Sequence, residues 1–132
     1  MLENQNQEEE LAHLIIGKAI DIHKILGPGL DKQTYIDCLK YELESDGLNY
    51  EQNKSIDFQY KSISLNNVYT IDFVISNQVV IEIATSADIS EVEIQRLLKM
   101  IRVNDYKLGL IINFNSTLLK NGIRRVSNNK TV

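Results

Sequence analysis

The segment Val79-Val80-Ile81-Glu82-Ile83 constrains this chain more than any other, because it joins four β-branched residues to a single acid. Branching at Cβ suits a pleated surface and disfavours a helix, so the run reads as a largely buried strand interrupted by one carboxylate. The preceding segment, Val68 to Ile75, alternates as a strand does. That alternation places Tyr69, Ile71, Phe73 and Ile75 on one face and Val68, Thr70, Asp72 and Val74 on the other. Only the polar break Ser76-Asn77-Gln78 separates the two runs, so they pair antiparallel and bring Asp72 and Glu82 together from neighbouring arms.

Burying an unpaired carboxylate costs several kcal/mol, so Glu82 must be neutral, paired or bound to a cation. Two convergent acids can share a hard divalent ion. Mg2+ (or Mn2+) suits such a site, because it keeps several waters and completes its shell from a phosphate substrate. A half-buried acid capped by a hydroxyl or a lysine satisfies the same sequence. Strand side chains alternate, so Ala84 shares the face of Glu82 and brings no charge to it.

Helical periodicity frames these strands. Leu11, Leu14, Ile15, Lys18, Ala19, Ile22, Ile25 and Leu26 recur at helical spacing and stop at Gly27-Pro28-Gly29. Residues 1–10 read as a frayed acidic and polar tail, and residues 127–132 as a flexible one. His23, beside the apolar stripe, reads as a packing or hydrogen-bonding histidine. Asp31 caps a second helix running to about Asp46, with Tyr35, Leu39 and Leu43 inward and Gly47 as its left-handed stop. Ile56, Phe58 and Tyr60 alternate in a strand, and Asn66-Asn67 offers a tight turn into the Asp72 strand. Ser90 and Glu93 form a capping box for a third helix, with Ile94, Leu97, Leu98 and Ile101 inward and Gln95 beside them. Leu108 to Phe114 is a buried strand that, after a helical crossover, runs parallel to the strand of Glu82. The order ααβββαβ predicts an α/β sandwich, a mixed four-stranded sheet flanked by helices, in one domain over residues 11–126.

Composition narrows the setting. With 43% hydrophobic and 24% charged residues, the 132-residue chain is an ordinary globule with one core. No apolar run approaches the roughly 20 residues of a membrane span, and Glu8-Glu9-Glu10 is the opposite of a secretory leader's basic start. Cys38 has no partner for a disulfide and no local histidine to make it a nucleophile, which points to a reducing cytoplasm. A net charge of −4 argues against non-specific duplex binding. Arg96, Lys99 and Arg102, and separately Lys120, Arg124 and Arg125, fit either a local basic patch or a solvated face. Tyr41, Tyr50 and Tyr60 offer contact area for a protein partner or a homodimer.

Gly27-Pro28-Gly29-Leu30, Tyr35, Tyr69-Thr70-Ile71-Asp72-Phe73, Glu82, Gln95, the run Lys107 to Asn115 and Asn121-Gly122-Ile123-Arg124-Arg125 follow one another in an order that resembles the GxxExxY family. That family is a small-protein branch of the PD-(D/E)XK nuclease superfamily, and the resemblance spans about Leu11 to Val126. It implies a restriction-endonuclease-like core, magnesium as cofactor and nucleic acid as partner. It also implies Asp72 and Glu82 as metal ligands, and Glu82 with the supporting Gln95 as catalytic residues. The family's name-giving glutamate falls on Lys32, and the lysine of its E-x-K signature on Ala84. Two readings follow. In one, the site is degenerate, weak or inactive as a nuclease, and acts by binding nucleic acid or protein. In the other, Lys32 reaches into the site as a catalytic cation replacing the lysine missing at Ala84, and the chain is a magnesium-dependent phosphodiesterase.

Overall fold

The computed structural model describes residues 7–128. Its elements are α1 (Gln7–Leu26), α2 (Lys32–Ser45), β1 (Tyr50–Tyr60), β2 (Ile63–Ile75), β3 (Val79–Ala84), α3 (Glu91–Val103), β4 (Leu108–Asn113), a 3-10 turn (Leu119–Gly122) and β5 (Ile123–Ser127). The strands form one sheet in the order β1-β2-β3-β4-β5, in which β3 and β4 are parallel and every other neighbouring pair is antiparallel. One face of the sheet packs Phe73, Ile81, Leu110 and Ile112 against α1 and α2. The other packs Val74, Val80 and Ile111 against α3.

Five strands replace the four expected. The fifth pairs from Ile112↔Ile123 to Leu108↔Ser127, and its two arginines, Arg124 and Arg125, hide the alternation in the sequence while suiting an exposed sheet edge. The first helix begins at Gln7, before Leu11, so residues 7–10 of the expected frayed tail are helical. Glu8, Glu9 and Glu10 lie in the first turn, where the helix dipole favours acids. Of the expected C-terminal tail, Ser127 ends β5 and the Asn128 N–H donates to the Lys107 carbonyl at 3.1 Å; residues 1–6 and 129–132, the rest of the two expected tails, lie outside the described residues.

α1 buries a narrower stripe than its periodicity implied. Ala12, Ile15, Ala19 and Ile22 are inside, whereas Leu14 and Ile25 face outward. The hairpin turn also differs. The register closes at Tyr60↔Ile63 around Lys61, which holds φ +52°, while Asn67 sits within β2 at a bulge between Ile56↔Tyr69 and Phe58↔Leu65. Asn67 does adopt the left-handed conformation that asparagine tolerates (φ +56°), and its N–H donates to Asp57 Oδ1 at 2.8 Å. The two-faced pattern predicted for β2 breaks at Asp72. Tyr69 and Ile71 join Val74 on the α3 side, and Phe73 and Ile75 lie on the α1–α2 side.

The Gly27–Tyr35 spacing has a mechanical cause. Gly27 and Gly29 hold φ +68° and +99°, conformations that side chains resist, so the chain turns sharply between α1 and α2. Tyr35, fully buried, pins that turn: its hydroxyl donates to the Gly27 carbonyl at 2.6 Å and accepts the Leu30 N–H at 3.2 Å. Its ring stacks on Phe114 at 4.4 Å between centroids. Tyr35→Phe leaves both backbone groups without that partner, and denaturant titration is expected to show a loss of about 1–3 kcal/mol. An unchanged midpoint would mean that the turn holds without the hydroxyl.

Candidate functional site

The β2–β3 ladder runs from Ile75↔Val79 to Phe73↔Ile81 and stops where the two acids begin. Beyond that point side chains take over the strand pairing. The Asp72 N–H donates to Glu82 Oε2 at 2.9 Å, and the Ile83 N–H donates to Asp72 Oδ2 at 2.8 Å. Each carboxylate stands in for a strand carbonyl, which holds both acids beside a gap opened between the strands. They are 7% and 8% exposed, so water does little to offset their charge.

Two further groups converge from distant parts of the chain. Lys32, in the first turn of α2, places Nζ 3.1 Å from Asp72 Oδ2. That turn starts at Asp31, whose Oδ1 accepts the Thr34 N–H at 2.9 Å. The Tyr69 hydroxyl donates to Glu82 Oε1 at 3.0 Å. Burial and then the neighbouring Asp72 charge push the Glu82 carboxyl up to about 7, against smaller opposing effects of the Asp72 N–H, the Tyr69 hydroxyl and Lys32. Burial and then the Glu82 charge push the Tyr69 phenol up to about 12, so it remains a donor at neutral pH.

Lys32, Tyr69 and Glu82, but not Asp72, line a cleft of about 250 Å³ together with Ala84, Ser86 and Arg96, among others. Arg96 lies over the Tyr69 ring, its guanidinium carbon 4.6 Å from the centroid. The loop after β3 is held by buried Asn113, whose Nδ2 donates to the Ser86 carbonyl at 2.9 Å and whose Oδ1 accepts the Ser86 N–H at 3.2 Å.

Of the residues singled out in the sequence, Lys32, Asp72 and Glu82 come together and Gln95 does not join them. Gln95 is exposed on the outer side of α3, and its amide donates to Glu91 at 2.9 Å. Ile94, Leu97, Leu98 and Ile101 pack inward as expected, and the α3 residues that line the cleft are Glu93, Arg96, Leu97 and Met100. Tyr69 and Arg96 are the site residues that sequence reasoning missed. Arg96 was legible as i+3 from the capping-box residue Glu93, on the same side as the apolar pair Leu97 and Met100. Elsewhere, His23 hydrogen-bonds the Ser116 carbonyl at 2.8 Å, Arg125 pairs with Glu9, and Arg124 donates to the Asn121 carbonyl at 3.1 Å.

Two acids, each accepting a backbone N–H at the parting of two central strands, in a mixed sheet covered by helices on both faces, fit a restriction-endonuclease-like α/β domain. A family model described as the PD-(D/E)XK nuclease superfamily matches residues 9–126, and the chain belongs to that superfamily. Neither a curated protein nor a solved structure matches it. No helix among the described residues is long and apolar enough to cross a membrane.

Nucleases of this superfamily typically use Mg2+, and the donor set here does not fit that ion well. Three of the four carboxylate oxygens already accept a hydrogen bond, and one of them also faces an ammonium. Among the described residues no three His, Cys, Asp or Glu side chains cluster as a metal would need. A small dication that demands near-octahedral oxygen donors would have to displace Lys32.

Proposed function

We infer that this chain is a degenerate nuclease-fold protein of the GxxExxY type, which binds nucleic acid in the cleft beside Glu82 and has little or no power to hydrolyse it. One observation carries this reading: the Lys32 ammonium rests 3.1 Å from Asp72, on the acid pair where a metal cation would act. A second supports it, since Ala84 lines the cleft without a charge to stabilise a pentavalent phosphate. The chain's net charge of −4 gives no general attraction for phosphate, so affinity has to come from local donors. Lys32 and Arg96 at the cleft mouth, with Ser86, supply them.

The test combines a binding and a cleavage assay on the full chain, with DNA and RNA oligonucleotides, single and double stranded, in Mg2+ or Mn2+. Fluorescence anisotropy should report salt-sensitive binding while the oligonucleotides stay intact. Arg96→Ala should weaken binding several-fold and lower the slope of log affinity against log salt by about one. Absence of binding refutes the reading. So does metal-dependent cleavage that disappears in Glu82→Ala. If that cleavage also disappears in Lys32→Ala, Lys32 is the relocated catalytic cation.

A further inference from the structure

A second concavity lies between α1 and α2 and shares no lining residue with the cleft. It encloses about 310 Å³, with Ile22, Ile25, Leu26, Cys38 and Tyr41 supplying its apolar surface. Ile25 is 83% and Tyr41 68% exposed, although the spacing of α1 marks Ile25 as an inward position. Core-type residues held open along a groove between two helices leave apolar surface uncovered, and a third helix is the shape that covers it.

The rim identifies the occupant. Asp21 has no hydrogen-bond or ion-pair partner among the described residues, and Asp37 meets only the neutral amide of Gln33, at 2.8 Å. Glu42, the third acid of the rim, is offset by Lys18 at 3.5 Å, and Lys18 also pairs with Asp46 at 2.8 Å. The open stretch therefore has an apolar floor between two uncompensated carboxylates. A second copy docked face to face would set this acidic rim against itself. We propose that the α1–α2 groove is the docking site for a basic amphipathic helix of a partner protein, whose apolar side chains cover Ile25 and Tyr41 and whose lysines or arginines pair with Asp21 and Asp37.

Cys38 in the groove reports occupancy directly. The full chain is mixed with a synthetic amphipathic leucine–lysine peptide, or with its leucine–glutamate counterpart, and the rate of Cys38 alkylation by iodoacetamide is followed by mass spectrometry. The lysine peptide should slow alkylation at least about tenfold at low salt and much less at high salt, and the glutamate peptide should not. Protection should fall about tenfold in Asp21→Asn with Asp37→Asn, and should vanish in Ile25→Asp. Both changes are at exposed positions, and circular dichroism checks that each variant is folded. Equal protection by the two peptides, or none by either, overturns the proposal. So does sedimentation showing a dimer that Ile25→Asp dissociates, which would make a second copy the occupant.

Discussion

Replacing Lys32 by glutamate and Ala84 by lysine together is expected to raise Mg2+-dependent nicking of plasmid DNA by about two to three orders of magnitude over the native rate. Both halves of the change follow from the site geometry. Lys32→Glu removes the ammonium 3.1 Å from Asp72 and puts a third carboxylate beside Asp72 and Glu82, which makes an oxygen cluster fit for a hydrated dication. Ala84→Lys adds a cation on the face of β3 that carries Glu82, lining the same cleft. Ala84→Lys alone should gain nothing, because Lys32 still occupies the acid pair. Lys32→Glu alone should gain metal affinity, measured by calorimetry, without cleavage. Equal nicking by the native chain and the double variant would overturn this account and make Lys32 the working cation.

The second large effect is on stability. Glu82→Gln is expected to stabilise the fold above pH 7 by roughly 3 kcal/mol and to have little effect near pH 4.5, read as the difference in denaturation free energy between variant and native protein. The sign follows from the direction of the shift. The Glu82 carboxyl rises from an ordinary value of 4.5 to about 7 in the fold, so between those values the folded chain binds a proton that the unfolded chain has released. Stability from this group is therefore complete below about pH 4.5, falls as pH rises to about 7 and is level beyond. Glutamine keeps the geometry, since its oxygen can accept the Asp72 N–H while its amide faces Tyr69. A difference that stays flat with pH would show that Glu82 is ionised throughout.

Several elements were legible because their signals are local. The Asp31 cap forms, and so does the Ser90–Glu93 capping box, because each needs groups only a few residues apart. Tyr35, Leu39 and Leu43 are buried as the spacing of α2 implied. β4 lies parallel to β3, as a helical crossover requires. The errors have specific causes. Asn66-Asn67 carries a turn signal, but its positive φ serves a bulge, since the bonds Asn67 makes to Ser55 and Asp57 depend on the facing strand. Gln95 lies outside the cleft because the phase of α3 is set by which residues meet the sheet. Leu97 and Met100 do so, which turns Arg96 toward Tyr69 and Gln95 toward solvent.

The amino-acid order alone determined the two periodicities, the crossover that makes β3 and β4 parallel, and the neighbouring arms that carry Asp72 and Glu82. These follow from backbone geometry and from the pairing of adjacent segments. Tertiary structure alone decided which of the two acids Lys32 pairs with, that Tyr69 and Arg96 complete the cleft, and that Ile25 stays outside the core. Each of those depends on how helices from distant parts of the chain settle on the two faces of the sheet. Such packing is set by the shapes of whole layers, and no spacing between nearby residues encodes it.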